Sequence, residues 1–307
     1  MGTAVVFSQD FPTKPVRMLI GFPPGGPLDV AARLIAPRLF EGSGISVIID
    51  NRDGANGIIA MDIVAKSAAD GYTMFFGTAG NLAVNPSLYP KLPFDIRRDF
   101  TPLSHAISVS SLLYVHPSLT SRTLAEFIAY AKANPGKINY SSSGTGGLPH
   151  LSGELLNSMA KIRTVHVPYK GTAPAFNALF SNEVQFAFSA VVSGLQHVKS
   201  GKLRALATTA GRRLALLPDV PTTGETIPGF EIDNWYGMVL PARTPRNVVM
   251  RLHGELARVL TLTDIRDKLA AQAWEPVGST PDSFGVFMKS ENEKWARVIK
   301  GSNIRPD

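Results

Sequence analysis

At 307 residues the chain is long enough for about two domains, and 44% hydrophobic with 18% charged residues excludes a disordered or fibrous protein. The net charge of +7 is scattered, its tightest basic clusters being the pairs Arg97-Arg98 and Arg212-Arg213, which argues against a nucleic-acid partner. Cysteine is absent, removing disulfides, thiol catalysis and cysteine metal sites, and no apolar run approaches the roughly 18 residues that span a bilayer.

Strand-like and helical runs alternate, the signature of an α/β fold with largely parallel sheets. Residues 16–22 read as a strand and 29–40 as a helix, which Pro37 should kink or shorten. Between them lies Gly21-Phe22-Pro23-Pro24-Gly25-Gly26-Pro27-Leu28-Asp29. The prolines stiffen this loop, the glycines let backbone amides approach a ligand, and Asp29 is placed to cap the helix. A strand, a glycine turn and a helix start together suit an anion. The spacing is neither that of a dinucleotide site nor that of a P-loop, so a small anion such as a carboxylate is expected and no cofactor.

Residues 45–49 are apolar enough for a buried strand, ended by Asn51-Arg52-Asp53-Gly54. A helix over 57–66 and a strand over 72–76 follow, then a second glycine loop, Gly77-Thr78-Ala79-Gly80-Asn81, and Asn85-Pro86 closing a short helical turn. A strand covers 112–115. Thr123-Leu124-Ala125-Glu126 is a capping box for a helix running to Asn134, stopped by Pro135-Gly136. A strand over 138–141 leads to Ser142-Ser143-Gly144-Thr145-Gly146-Gly147 and a helix over 150–159. Another strand, over 164–167, leads to Pro168-Tyr169-Lys170-Gly171-Thr172 and a helix to Phe180. Strands over 184–188 and 203–208, a proline-rich loop over 217–228 and a strand over 235–240 precede helices over 245–260, 264–272 and 281–299.

Polar glycine loops therefore follow strands at 22–27, 78–81, 142–147 and 168–172. In open α/β sheets ligands bind beyond the carboxyl ends of strands, so two lobes facing each other would form a cleft with four recognition loops. The late helices pack most simply on the first lobe. That division places one lobe at 1–107 plus 237–307 and the other at 108–236.

The chain resembles the Bug/TctC family of periplasmic solute-binding proteins, the receptors of tripartite tricarboxylate transporters. The resemblance is carried by Pro15-Val16-Arg17, Phe22-Pro23-Pro24-Gly25-Gly26-Pro27 with Asp29, Asn51-Arg52 with Gly54-Ala55-Asn56-Gly57, and Asp70-Gly71-Tyr72. It continues through Asn85-Pro86-Ser87-Leu88-Tyr89, His166-Val167-Pro168-Tyr169-Lys170-Gly171, Pro218-Asp219-Val220-Pro221-Thr222 and Trp235-Tyr236-Gly237. It implies a type II periplasmic-binding-protein fold, two α/β lobes closing on a small carboxylate or dicarboxylate that is passed to membrane transporter subunits. It also implies a monomer exported to the periplasm, with a signal segment ending near Ser8. Contacts are expected in the first lobe from Phe22, Pro24, Gly25, Gly26, Pro27, Thr78, Ala79, Asn81 and Asn85. The second lobe would add Ser142, Gly144, Thr145, Gly146, His150, Lys170, Gly171, Thr172 and Ser189.

The chain departs from the family pattern in two places. Ser189-Ala190-Val191-Val192 stands where the family often carries an Asp, which makes an amino-acid ligand less favoured, and Pro37 is unusual. Two other readings stay open: a cleft hydrolase using Ser143 or His150, and a ligand-presenting component of a sensor system. The hydrolase lacks the Gly-x-Ser-x-Gly elbow, and the six histidines show no His-Glu-x-x-His pairing for a metal.

Overall fold

Val16–Ile20 forms β1, with every residue but Arg17 buried. Gly21 follows it because a Cβ there would lie 2.5 Å from the Cα of Gly57. The computed structural model describes residues 11–169, 171–230 and 232–302. Helix α1, Pro27–Ile35, starts from Gly26 and gives way to a 3-10 turn at Ala36–Arg38. Pro37 lacks the amide that would continue the helix, which is why it stops short of residue 40. Strand β2, Val47–Asn51, is an edge strand paired only with β1, and its Ile48 is 54% exposed. The expectation of a buried strand is corrected there.

A turn with Ala55 and Asn56 at positive φ leads into α2, Ile58–Ala65, and β3, Thr73–Thr78. One turn of π-helix, Gly80–Val84, runs directly into α3, Asn85–Leu88. Asn85-Pro86 therefore continues the helical path rather than closing it, since Pro86 sits in a first turn that needs no amide. Strands β4, Phe100–Val109, and β5, Ser111–Val115, follow almost without a break. Helix α4, Leu124–Ala133, is capped by Thr123 Oγ1, which accepts from the Glu126 amide at 3.1 Å. The Glu126 carboxylate reaches back one residue further than a capping box requires, to the Arg122 amide at 2.7 Å.

The second half continues with β6, Asn139–Ser142; α5, Leu148–Ala160; β7, Val165–Pro168; and α6, Thr172–Phe180. Next come β8, Phe186–Ala190; α7, Val191–Lys199; and β9, Arg204–Thr208. The proline-rich loop holds α8, Thr223–Thr226, with a complete Thr222/Glu225 capping box. The chain ends in β10, Tyr236–Pro241; α9, Arg246–Thr261; α10, Thr263–Ala271; β11, Trp274–Pro276; and α11, Pro281–Ser302.

Among the described residues the strands form two sheets, ordered β11-β4-β10-β3-β1-β2 and β7-β6-β8-β5-β9. Strand β1 is parallel to β2 and β3, and β6 is parallel to β7 and β8. Strands β10 and β5 insert antiparallel to their neighbours. Both sheets are therefore mixed, not largely parallel. The inserted strands β5 and β10 each begin just after a place where the chain passes from one sheet to the other: Ser110, and the segment between β9 and β10.

Alternation along each strand sends side chains to opposite faces. Met18 and Ile20 face an apolar cluster with α1 and α9, while Leu19 and Phe75 face another with α2 and α11. That second cluster continues through α5 to Tyr140 and Phe186 of the other lobe. Helices α9 and α10 lie against the first sheet, whereas α11 packs on β4 and α3 of one lobe and on α5 of the other.

Candidate ligand-binding cleft

The loops after β1, β2 and β3 and those after β6 and β7 face one another at the carboxyl ends of their strands. They enclose a cavity of about 810 Å³. Its first-lobe wall holds Phe22 to Leu28, Asn56, Thr78 and Gly80; its second-lobe wall holds Ser143, Gly144, Thr145, Gly147, Leu148, Pro149 and Thr172. Asn234 and Tyr236, at the second crossover, form the back. No formally charged side chain is among these described lining residues.

The loop after β1 is shaped by Asp29, which is 1% exposed. Asp29 lies in the first turn of α1 rather than at the N-cap, which is Gly26. Its carboxylate accepts from the Gly25 amide at 2.9 Å, from Arg33 Nε at 2.8 Å and from Asn51 Nδ2 at 3.0 Å. Burial raises the Asp29 carboxyl, but the bonds from Arg33, Gly25 and Asn51 outweigh it and hold it below its usual range. One amide of the loop and part of the helix-end charge are thus used internally. The Arg33 guanidinium offsets the Asp29 charge, so a bound anion would meet a neutral surround.

Three asparagines lock the loops after β2 and β3 together. Asn81 Oδ1 accepts from the Thr78 amide at 2.9 Å and from Thr78 Oγ1 at 3.2 Å, and Asn81 Nδ2 donates to the Asn56 carbonyl at 2.7 Å. Asn85 Nδ2 donates to the same carbonyl at 3.0 Å and Asn56 Nδ2 donates to Asn85 Oδ1 at 2.7 Å. Asn56 holds φ +48°, a left-handed conformation that Asn tolerates better than most residues. A ligand that takes the Thr78 hydroxyl proton must compete with Asn81 for it.

Of the residues expected from the sequence, Phe22, Pro24, Gly25, Gly26, Pro27, Thr78, Gly144, Thr145 and Thr172 come together on the cavity wall. Ala79, Asn81 and Asn85 are buried behind it. Ser142 and Ser189 line a niche of about 10 Å³ that shares Ser143, Pro149 and Thr172 with the main cavity. Gly146 and His150 are buried beneath the loop, and Gly171 turns its amide to the Ser143 carbonyl at 3.2 Å. Lys170 lies outside the described residues. The sequence reading missed Asn56 and Asn234 as wall residues, and it leaves Tyr236 open between hinge packing and cleft wall; Tyr236 lies on the wall. Asn56 carried a signal in its Gly-Ala-Asn-Gly turn; Asn234 and Tyr236 reach the cavity only through the crossover.

A family model for tripartite tricarboxylate transporter family receptors matches residues 31–304. Protein BugT of Bordetella pertussis is 34% identical over 304 residues, covering 98% of this chain and 93% of BugT. A protein encoded in the tcbD-tcbE intergenic region of Pseudomonas sp. (strain P51) is 36% identical over 291 residues, 94% of this chain and 86% of that protein. Among solved structures, an R. palustris protein with adipate is similar at a TM-score of 0.84 and 36% identity, over 97% of this chain and 100% of that one. MatC from Rhodopseudomonas palustris with bound malate is similar at 0.79 and 31% identity, over 94% and 100%.

Proposed function

Because the chain belongs to the tripartite tricarboxylate transporter receptor family, we propose that it captures a small linear dicarboxylate between its lobes and delivers it to membrane transporter subunits. The observation that carries this reading is the cleft wall, where amides and neutral polar side chains alternate with apolar ones and no described lining residue is charged. A carboxylate held there relies on charge-assisted bonds from amides, each worth roughly 1.5–3 kcal/mol. Three or four such bonds would give affinities on the order of micromolar after ordering costs. Phe22, Pro24, Pro27, Leu148 and Pro149 suit the methylene chain between two acid groups. The adipate and malate of the two R. palustris neighbours supply the chemical class.

The lobes would hinge at Ser110 and at 232–235, close to the 107/108 and 236/237 boundaries expected from the sequence. The same family membership supports a protein that works in the periplasm; the export segment expected to end near Ser8 lies outside the described residues.

Thermal shift against mono-, di- and tricarboxylates tests the reading. A diacid at about 100 times its Kd stabilises by ~2.7 kcal/mol, which raises Tm by about 4 °C for a chain of this size. A panel in which no carboxylate moves Tm overturns it. Gly26 then locates the anion. Its φ of −73° already suits proline, so Gly26→Pro deletes a donor without forcing φ, while Gly26→Ala keeps the amide and its Cβ meets nothing nearer than 3.6 Å. Loss of binding in the proline variant alone is expected. Normal binding there with loss in Lys170→Gln would transfer recognition to a cation of the second lobe.

A further inference from the structure

Beneath the second-lobe wall two imidazoles lie face to face, His150 of α5 and His166 of β7, with ring centroids 3.7 Å apart and planes 5° from parallel. Each reaches a different end of the loop that connects β6 to α5. His150 Nδ1 accepts from the Gly146 amide at 3.0 Å. An acceptor carries a lone pair, so that nitrogen is unprotonated. His166 Nε2 lies 2.6 Å from Ser142 Oγ, and the same oxygen takes the Gly144 amide at 3.2 Å and donates to the Gly144 carbonyl at 2.9 Å. A hydroxyl has one proton, so while it goes to Gly144 the His166 nitrogen is the donor to Ser142.

We propose that the stacked pair His150 and His166 is a brace that positions the 143–147 wall of the cleft, both rings being positioning residues that do not touch ligand. This rests on the reading of the cleft as the ligand site. The loop needs such a brace. Gly144 at φ +145° and Gly146 at φ +76° hold conformations that side-chain-bearing residues rarely adopt, and the residues between the two anchors, Ser143 to Thr145, supply the polar face of the second lobe. Stacking seats the two rings together beneath the loop, and the polar atoms they carry, His150 Nδ1 and His166 Nε2, hold its two ends. Tyr140 of β6 closes the floor, its ring 5.1 Å from His166 and its hydroxyl donating to Glu154 Oε1 at 2.7 Å. The brace thus stands on the sheet rather than on the loop it supports.

Two substitutions separate the acceptor from the ring. His150→Phe keeps a flat ring for stacking and removes the acceptor; His150→Asn removes the stack and returns an oxygen acceptor near the Nδ1 position. Amide exchange at Gly146, followed in glycine-labelled protein, reads the brace with no ligand present. In His150→Phe that exchange should quicken about tenfold and return toward wild type in His150→Asn. The affinity for whichever of adipate or malate raises the wild-type Tm should fall and recover in step. His166→Leu and His166→Gln repeat the comparison at Ser142 and Gly144, should the His150 variants fail to fold. A merely structural histidine would lower Tm in both variants alike, and unchanged Gly146 exchange in His150→Phe, or no recovery in the amide variants, overturns the proposal. If neither acid binds the wild-type protein, the functional reading loses its ligand class while Gly146 exchange still decides the brace.

Discussion

Asp233 lies at the second crossover, with Ser108 Oγ donating to one carboxylate oxygen at 2.5 Å and the Val109 amide to the other at 3.0 Å. His105 Nε2 is 3.7 Å away, its ring stacked on Phe287 at 4.9 Å. Burial lifts the Asp233 carboxyl to about 6 despite those bonds, and burial pushes the His105 imidazole down to about 4. Both shifts favour the neutral forms. The raised carboxyl contributes stability that is complete below its unfolded value of 3.8 and is lost as pH rises toward 6. The lowered imidazole contributes stability that is complete above 6.5 and is lost as pH falls toward 4. Between pH 4 and 6 the two slopes oppose, so the wild-type protein should show little net pH dependence from this pair. Asp233→Asn removes one slope, and stability should then rise by about 2–3 kcal/mol between pH 4 and 6.5. His105→Gln should show the reverse trend. Urea unfolding at stepped pH reads both, and a steep wild-type profile that neither variant alters would refute the opposed pair.

At the scale of the element, close approach sets where glycine is required. A Cβ on Gly153 of α5 would lie 2.3 Å from the Tyr140 ring of β6, so the helix sits on its sheet only because that position is bare. Gly153→Ala should cost about 1–3 kcal/mol by overpacking. Gly254 in the middle of α9 meets nothing within 4 Å, and Gly254→Ala should stabilise by about 0.5–1 kcal/mol through reduced chain entropy. Chemical denaturation of the two variants should therefore give shifts of opposite sign. The same packing explains what the sequence could and could not convey. Helices α5, α6, α9 and α11 carry periodic apolar faces and clear stops, and each is found within a few residues of its expected place. Strand β4 was missed because Pro102, Ser104 and His105 break its alternation; Ser104 Oγ donates to the Ser279 carbonyl, a partner 175 positions away. Strand β11 has only three residues, and α7 begins directly after β8 with no turn signal. In the cleft, the glycine loops were legible because their backbone demands show in composition. Asn234 of the back wall was not, and Tyr236 could be read as packing or as wall, because a crossover has no local pattern of its own.

Two lobes joined by two crossovers would ordinarily unfold separately, since interfaces within a chain are small and polar. Here one apolar cluster runs from Phe75 and Val239 of the first sheet through Phe284 and Trp295 of α11 to Leu151 and Tyr140 of the second lobe. Helix α11 also grips the second crossover. Glu291 accepts from Trp235 Nε1 at 3.2 Å and from Trp295 Nε1 at 3.1 Å, while Lys294 balances its charge at 2.5 Å. On the cleft side, a Cβ on Gly146 would meet Leu88 of α3 at 2.4 Å, so the two walls are in contact beside the cavity. An unfolded second lobe would strip α11 of its packing on α5 and open the apolar cluster that the two lobes share. The lobes should therefore melt in one transition, with calorimetric and van't Hoff enthalpies equal. Trp295→Ala opens a cavity worth about 3–5 kcal/mol at the middle of the tie, and the single peak should broaden or split into two. Calorimetry decides it: two resolved transitions in the wild-type protein, or a Trp295→Ala protein that merely melts earlier as one unit, would mean that α11 supports the first lobe without coupling it to the second.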